Sequence, residues 1–260
     1  MPTRVTITGA DGRMGRALVE AIAASPDHHL AGATERSGHP LIGLAFHDVV
    51  LRGTLGEALE ADVVIDFTAP EASLAHARAC ALRGVPLVVG TTGFSASQKA
   101  ELGAIAARIP VVSAPNMSVG VNLLFGLAAR AAKVLGDSYD VEIVEAHHRH
   151  KKDAPSGTAL GLAESVAGAL GRDLGRELVT GRSGLTGARE RSNIAIHAVR
   201  GGDVVGDHTV MFLGDGERVE LTHKASTRGN FAKGALRAAS WVVGRAPGLY
   251  DMADVLGLSS

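Results

Sequence analysis

The amino-acid sequence predicts an α/β chain in two parts: a doubly wound parallel sheet in the N-terminal half, then an α+β half with an open, mainly antiparallel sheet. Three observations predict it. Up to Ser113, short β-branched runs alternate with helical stretches, the pattern of a parallel sheet with helices on both faces. The first strand-to-helix connection is glycine-rich, reading Gly9-Ala10-Asp11-Gly12-Arg13-Met14-Gly15. Beyond Ile194 the pattern turns to period-two runs joined by Gly201-Gly202-Asp203 and Gly214-Asp215-Gly216, and Asp-Gly is a hairpin signal.

Composition bounds the function classes. The 260 residues suit one large domain or two small ones. A 46% hydrophobic, 20% charged chain with net charge -1 has material for a core and no global electrostatic footprint for nucleic acid. The single cysteine, Cys80, rules out an internal disulfide framework and suits a reducing compartment. The apolar run after Arg4 stops at Gly9, too short for a signal peptide or a membrane span, so a cytoplasmic location is expected.

The first half justifies its elements in order. Arg4 to Thr8 is a strand, and a helix follows the glycine turn to Ala24. Gly9 permits the tight turn, Gly12 lets a pyrophosphate approach the backbone, and Gly15 allows close packing of helix on strand. Ala10, Asp11, Arg13 and Met14 complete the loop, and the helix N-terminus offers N–H groups and a positive dipole end to phosphates. This strand–turn–helix context makes the domain Rossmann-like, with NADH or NADPH as the expected cofactor. Asp11 is unfavourable there unless its side chain turns away. The next strand, His29 to Thr34, ends at Glu35 and Arg36. A carboxylate at that place suits a ribose 2′-hydroxyl and a guanidinium a 2′-phosphate, so the pair implies use of both dinucleotides.

Strands at 61–68, 85–89 and 110–113 and helices at 70–83 and 95–109 continue the alternation. Pro70 suits a first helical turn, and Cys80, inside that helix, reads as small core filler. Ligands of such sheets lie beyond the carboxyl ends of the strands. Two of those ends are Gly90-Thr91-Thr92 and Ala114-Pro115-Asn116-Met117, residues suited to backbone contact with a flat cofactor.

Val119 to Leu135 is an apolar helix that opens a second domain, and residues 139–146 form a strand. A helix runs from Ser156 to about Gly171, and residues 172–192 are polar and glycine-rich, a long mobile segment of the kind that is either functional or disordered. Strands at 194–199, 208–213 and 218–223 make an antiparallel meander, an open sheet of the kind that finds a partner subunit. The chain closes with helical material at 231–243 and 250–256.

Glu142 to Leu160 is the stretch densest in groups able to hold or move a proton. His147, His148 and His150 invite a metal, but Arg149, Lys151 and Lys152 disfavour a bound cation, and neither His-Glu-x-x-His nor a cysteine pair is present. A nucleic-acid patch lacks interleaved aromatics. The stretch reads instead as an anion site that also handles protons. Lys151, His148 and a helix N-terminus at Ser156-Gly157-Thr158 suit two carboxylates on a substrate, and His147 titrates near neutrality as acid or base. His147 and His148 share a cleft only if the strand ends by Ala146, because side chains alternate along a strand.

Six segments carry a resemblance to a known family. Glu145 to Leu160 (EAHHRHKKDAPSGTAL), Gly9 to Gly15 (GADGRMG), Gly90 to Phe94 (GTTGF), Ala114 to Asn122 (APNMSVGVN), Arg200 to Phe212 (RGGDVVGDHTVMF) and Thr222 to Ser226 (THKAS) resemble dihydrodipicolinate reductases, almost end to end. The resemblance implies reduction of 4-hydroxy-tetrahydrodipicolinate, via dihydrodipicolinate, to tetrahydrodipicolinate with NADH or NADPH in diaminopimelate and lysine biosynthesis. It implies His147 as proton donor or acceptor and Lys151 as proton donor. His148, Gly157 and Thr158 would bind substrate carboxylates. Gly9 to Met14, Glu35, Arg36, Gly90 to Thr92 and Ala114 to Met117 would bind the dinucleotide. It further implies a dinucleotide domain over 1–118 to which helices of 228–260 return, a substrate-binding and oligomerisation domain over 119–227, and a homotetramer joined through the antiparallel sheet. A semialdehyde dehydrogenase that forms an acyl-enzyme would need an activated cysteine, and Cys80 lies mid-helix. A non-catalytic NAD(P)H sensor is the alternative of a different class.

Overall fold

The two-part α/β architecture is present in the computed structural model of the chain, which describes residues 1–227 and 229–258. Arg228, Ser259 and Ser260, which fall in the span 228–260 expected to return to the dinucleotide domain, lie outside the described residues. The chain forms two compact units, Met1–Val119 with Arg228–Ser260, and Gly120–Thr227.

In chain order the first unit contributes β1 (Thr3–Thr8), α1 (Arg13–Ala23), β2 (His28–Thr34), β3 (Ala45–Phe46), β4 (Val49–Arg52), β5 (Val63–Asp66), α2 (Pro70–Arg83), β6 (Leu87–Val89), α3 (Ala96–Ala106) and β7 (Pro110–Ser113). The second contributes α4 (Val119–Leu135), β8 (Asp140–His147), α5 (Gly157–Leu170), α6 (Leu174–Glu177), β9 (Leu178–Thr180), β10 (Ile194–Arg200), β11 (Gly206–Leu213) and β12 (Arg218–Ala225). The chain then re-enters the first unit as α7 (Gly229–Val242), β13 (Gly248–Tyr250) and α8 (Met252–Leu256).

The first sheet has eight strands in the order β13-β7-β6-β5-β1-β2-β4-β3. Its described pairings are parallel except β3 with β4. Val5, Ile7, Val63, Ile65, Val88 and Val112 are fully buried, as strands covered on both faces require. One face packs α1, α7 and α8 through residues such as Leu18, Ile22, Ala235 and Val255. The other packs α2 and α3 through Leu74, Cys80, Leu102 and Ile105. Cys80 is core filler as expected, and burial pushes its thiol up to about 12. Helix ends follow local chemistry. Pro70 opens α2, and Gly84 closes it in the left-handed region at φ 67. Ser95 and Gln98 form a capping box on α3.

Two features of this sheet have no counterpart in the sequence reading. The β3–β4 ribbon occupies a segment without clear periodicity, and β13 adds an edge strand beside β7 where helix was expected from Tyr250. Helix begins only after Asp251, whose carboxylate caps Ala253 and Asp254. Register then aligns the site. Thr34, Thr8, Asp66, Val89 and Ser113 pair in one row across β2, β1, β5, β6 and β7. The strand order reverses at β1, which has β2 on one side and β5 on the other, so the ligand crevice of such a sheet lies at these carboxyl ends.

The second sheet has the order β12-β11-β8-β10-β9. Two long ladders, β11 with β12 and β11 with β8, are antiparallel, while β10 runs parallel to β8 and β9 to β10. This corrects the meander expected over 194–223. Gly214-Asp215-Gly216 does turn β11 into β12, but Gly201-Gly202-Asp203 is not a hairpin. It crosses the end of β8, where the Gly201 N–H bonds the His147 carbonyl (3.0 Å) and the Arg149 N–H bonds the Gly202 carbonyl (3.2 Å). Glycine supplies a left-handed Gly202, φ 53, for that crossing, and a glycine pair does not reveal whether the next strand is its neighbour. One face of the sheet packs α4 and α5 through Ile143, Phe212, Ile194, Leu124 and Leu162.

The segment 172–192 is more ordered than its composition suggests. It holds α6 and β9, and it returns two arginines to Glu142. Arg182 donates through both terminal nitrogens (2.9 and 2.9 Å), Arg189 through Nε (2.8 Å), and His197 Nε2 lies 2.6 Å away. Burial pushes the Glu142 carboxyl up, but these hydrogen bonds outweigh it and bring the group from 4.5 to about 2. A carboxyl lowered on folding stabilises fully above its unfolded value and loses that contribution as pH falls through the folded one. Amide-exchange protection of 181–190 should therefore hold above pH 4.5 and collapse between 4.5 and about 2. Unchanged protection across that range would remove Glu142 as the anchor.

Candidate active site

In the first unit, β1 runs into the glycine turn with Gly9 at φ 63. A Cβ on Gly15 would lie 2.3 Å from the Gly9 carbonyl oxygen, so only glycine lets α1 start there. Gly12 caps α1 without a side-chain hydrogen bond, and the first N–H groups of a helix have no intrahelical partner. Asp11 turns away as required: its carboxylate pairs with Arg16 (2.8 Å) and lies near His39 (3.6 Å). Glu35 accepts the Asp11 N–H (2.9 Å) and the Arg36 N–H (3.2 Å), which ties the turn to the end of β2. Gly9, Gly12, Glu35, Arg36, Thr68 and His76 line a cavity of about 430 Å³. Ala10 is buried beneath the turn, while Arg13 is exposed and Met14 half-buried at the start of α1.

Gly90-Thr91-Thr92 follows β6, and a Cβ on Gly90 would collide with the Phe67 ring at 2.1 Å. Ala114 and Met117 are buried after β7, Pro115 is exposed, and the Asn116 side chain accepts the Ser118 N–H (2.8 Å). Thr91, Thr92, Ala114 and Pro115 border a second cavity of about 580 Å³ with Lys99 and Tyr250. The residues fit a dinucleotide: an uncapped helix N-terminus, a Cβ-free turn and an acid–arginine pair line one cavity.

The sequence reading missed the group that holds these strand ends together. Asp66, fully buried at the end of β5, accepts from Thr8 (2.8 Å), Thr68 (2.9 Å), Ser73 (2.5 Å), Thr91 (2.8 Å) and His76 Nδ1 (2.5 Å). Burial pushes its pKa up, but the His76 and hydroxyl hydrogen bonds leave it below 3.8. A carboxylate ending an otherwise apolar strand, with hydroxyl residues at the neighbouring strand ends, is the signal that could have found it.

In the second unit, β8 runs through His147, one residue past Ala146, and His148 is the first residue of the connection, where strand alternation no longer forces the two side chains apart. His147 lies on the core-side face with Ile143 and Glu145, and His148 begins the connection, its ring 6.2 Å from that of His150. Glu145 is the buried hub here. Arg200 grips both its oxygens (2.7 and 2.7 Å), the Ser156 N–H donates at 3.0 Å, and His147 Nδ1 lies at 2.6 Å. Burial, with Lys151 and Arg200 nearby, holds the His147 imidazole below its ordinary value despite Glu145. His208 packs its ring on His147 at 5.2 Å, places Nε2 3.1 Å from Ser156 Oγ, and is pushed down to about 4 by burial. Lys151 Nζ pairs with Asp153 at 2.8 Å. Ser156 caps α5 through Ala159, and Gly157 and Thr158 form its first turn, with nothing within 4 Å of where a Gly157 Cβ would stand. The local fold thus gathers His147, Lys151, Gly157 and Thr158 about one helix start, with Glu145, Arg200, Ser156 and His208 behind them. Of those four, Glu145, Arg200 and His208 were not assigned from sequence, and Ser156 was read only as part of the helix N-terminus. The Glu-x-His spacing, which puts both side chains on one face of a strand, is the sign for Glu145.

Residues 3–117 match the family model described as dihydrodipicolinate reductase, N-terminus, and residues 120–256 the model described as dihydrodipicolinate reductase, C-terminus. The chain is 59% identical to a 4-hydroxy-tetrahydrodipicolinate reductase of Thiobacillus denitrificans, over 99% of this chain and 100% of that one. It is 55% identical to the reductase of the same name from Magnetococcus marinus, over 99% of each chain. Among solved structures it is similar to a dipicolinate-bound dihydrodipicolinate reductase from Paenisporosarcina sp. TG-14, with TM-score 0.81 and 26% identity over 98% of this chain and 99% of that one. An amine dehydrogenase from Mycobacterium smegmatis shares the fold alone, at TM-score 0.59 and 14% identity over 96% of this chain and 94% of that one.

Proposed function

The chain belongs to the dihydrodipicolinate reductase family, and from that premise we propose how its residues divide the work of the reaction. The enzyme reduces 4-hydroxy-tetrahydrodipicolinate, by way of dihydrodipicolinate, to tetrahydrodipicolinate in diaminopimelate and lysine biosynthesis. NADH or NADPH supplies the hydride to the unsaturated ring.

The glycine turn Gly9 to Met14 and the start of α1 bind the dinucleotide phosphates. Glu35 and Arg36 meet the adenosine ribose, Glu35 favouring a free 2′-hydroxyl and Arg36 a 2′-phosphate. Gly90 to Thr92 and Ala114 to Met117 receive the nicotinamide half. Residues 1–118 with the returning C-terminal helices are thus the dinucleotide domain, and 119–227 is the substrate and oligomerisation domain. There His148, Gly157 and Thr158 hold the two ring carboxylates at the positive end of α5. Lys151 or His147 delivers the proton to the ring carbon after hydride has added, so the ring gains one hydride and one proton. The observation that carries this reading is the buried His147 beside the Ser156-capped start of α5, with the Lys151 ammonium among the charges acting on it. That is a proton-handling pair next to an anion-binding helix end. No observation favours the sensor alternative.

Arg36→Ala is expected to weaken NADPH by about tenfold, the value of one charge-assisted hydrogen bond, and NADH far less. Fluorescence titration with each dinucleotide tests it, and an unchanged NADH-to-NADPH ratio would remove Arg36 from 2′-phosphate recognition.

The protein works in the cytoplasm as a homotetramer joined through the β8–β12 sheet. Among the described residues β12 pairs on one side only, and Val199 and Val219 are exposed on this sheet, the state of an edge that finds a partner. Light scattering should give four times the chain mass, falling on Val219→Asp; a monomeric wild type sinks the assembly.

A further inference from the structure

We propose that Glu145, clamped by Arg200 and the Ser156 N–H, is a positioning residue that fixes His147 as its Nδ1–H tautomer and leaves Nε2 as the working, proton-accepting atom. This rests on the reading of His147 as a proton-handling residue.

Glu145 and His147 are two residues apart on β8, so the pleat places both on one face, and Nδ1 meets Oε2 at 2.6 Å. Glu145 is fully buried, and its two oxygens receive three further N–H donors, two from Arg200 and one from Ser156. A carboxylate surrounded by donors and paired bidentately with a guanidinium stays ionised and can only accept. The proton of the short bond therefore belongs to His147 Nδ1. A ring's tautomer is set by the bond its other nitrogen makes, and a carboxylate behind a working imidazole fixes both its tautomer and its orientation.

Nε2 has no protein partner among the described residues. It borders Gly206, where a Cβ would stand 3.1 Å away, so the absence of a side chain there keeps the nitrogen uncrowded. The groups that face His147 are Glu145 on its own strand, Lys151 on the connection, Arg200 on β10 and His208 on β11. Lys151 and Arg200 oppose a second proton on the ring, and burial adds to them. His208 is held off by its own bond to Ser156. A neutral ring with Nδ1 protonated has a bare Nε2, so in the resting site this atom accepts a hydrogen bond or takes up a proton, and it must take one up before it can deliver one to the substrate ring.

The test uses the full-length enzyme with 15N-labelled histidine and long-range 1H–15N NMR, His147 signals being assigned with His147→Asn. Above its titration, wild-type His147 is expected to show a protonated Nδ1 and a bare Nε2. The opposite tautomer would overturn the proposal, and this reading needs no variant to fold. Glu145→Gln is expected to release the tautomer and lower kcat by about 10- to 100-fold, with the KM for NADH unchanged and the acidic limb of the kcat profile displaced. Arg200→Lys keeps the charge without the fork, so it should fall between wild type and Glu145→Gln. If His147→Asn itself leaves kcat unchanged, the role of His147 falls. If His147→Asn is crippling while Glu145→Gln keeps both tautomer and kcat, only the positioning role falls.

Discussion

Replacing Lys151 with alanine is expected to lower kcat by about 10²- to 10⁴-fold, the range for loss of a positioned proton donor, while leaving NADPH affinity unchanged. Lys151 shares the His147–α5 cluster with Arg200; its side chain is largely withdrawn from solvent, at 19% exposure, and its ammonium pairs with Asp153. Its loss removes both a proton and a positive charge from the site proposed to hold two carboxylates. The residues proposed to bind the dinucleotide all belong to the other compact unit, so binding of NADPH is the internal control. Stopped-flow oxidation of NADPH with enzymatically generated substrate gives the rate, and fluorescence titration gives the affinity. Normal turnover with lost NADPH binding would mean that the lysine serves the cofactor and that the proton comes from elsewhere.

Asp66→Ala is expected to destabilise the first unit by about 3 kcal/mol or more, because several buried donors lose their acceptor together. The carboxylate receives hydroxyls from β1, the β5 end, α2 and the β6 end, and the His76 ring. Ser73→Ala, which removes one donor and leaves the carboxylate served, should cost only about 1 kcal/mol. Urea midpoints measure both. Because the Asp66 pKa lies below 3.8 in the folded protein, its contribution is full above that value and fades as pH falls beneath it. The difference between wild type and Asp66→Ala should therefore shrink in acid. Equal midpoints for the two proteins at neutral pH would mean that the strand ends are held by packing alone.

What was legible in the sequence follows from the range of each signal. The glycine turn, the helix caps and the alternation of strand and helix are local, and they stand where the residues put them. The loop Glu145 to Thr158 also announces itself, because its chemistry is contiguous. Partnerships across the chain were not legible. Glu145 is read as one acid among several until β10 delivers Arg200, and Glu142 looks like its equal until Arg182 and Arg189 return to it from a segment that reads as mobile. Asp66 looks like the end of an apolar strand until Thr8, Ser73 and Thr91 converge on it. The same limit explains the meander. A Gly-Gly-Asp turn gives the bend but not the neighbour, and β8 takes the central place between β10 and β11. β13 was hidden because three residues at an edge are too few for any periodicity to show.

The insertion of one unit within the other has a consequence for synthesis. When a nascent chain has emerged as far as Thr227, every strand and helix of the second unit has been made, and it can close its sheet on α4 and α5. The first unit, begun earlier, is still unfinished. One face of its sheet awaits Ala232, Ala235, Ala239 and Val242 of α7, and β7 remains a bare edge until β13 arrives. The unit translated second is therefore the one completed first. A ribosome-bound chain would expose the apolar face of a parallel sheet until residues 229–256 clear the exit tunnel, and chaperones would meet the chain at that face.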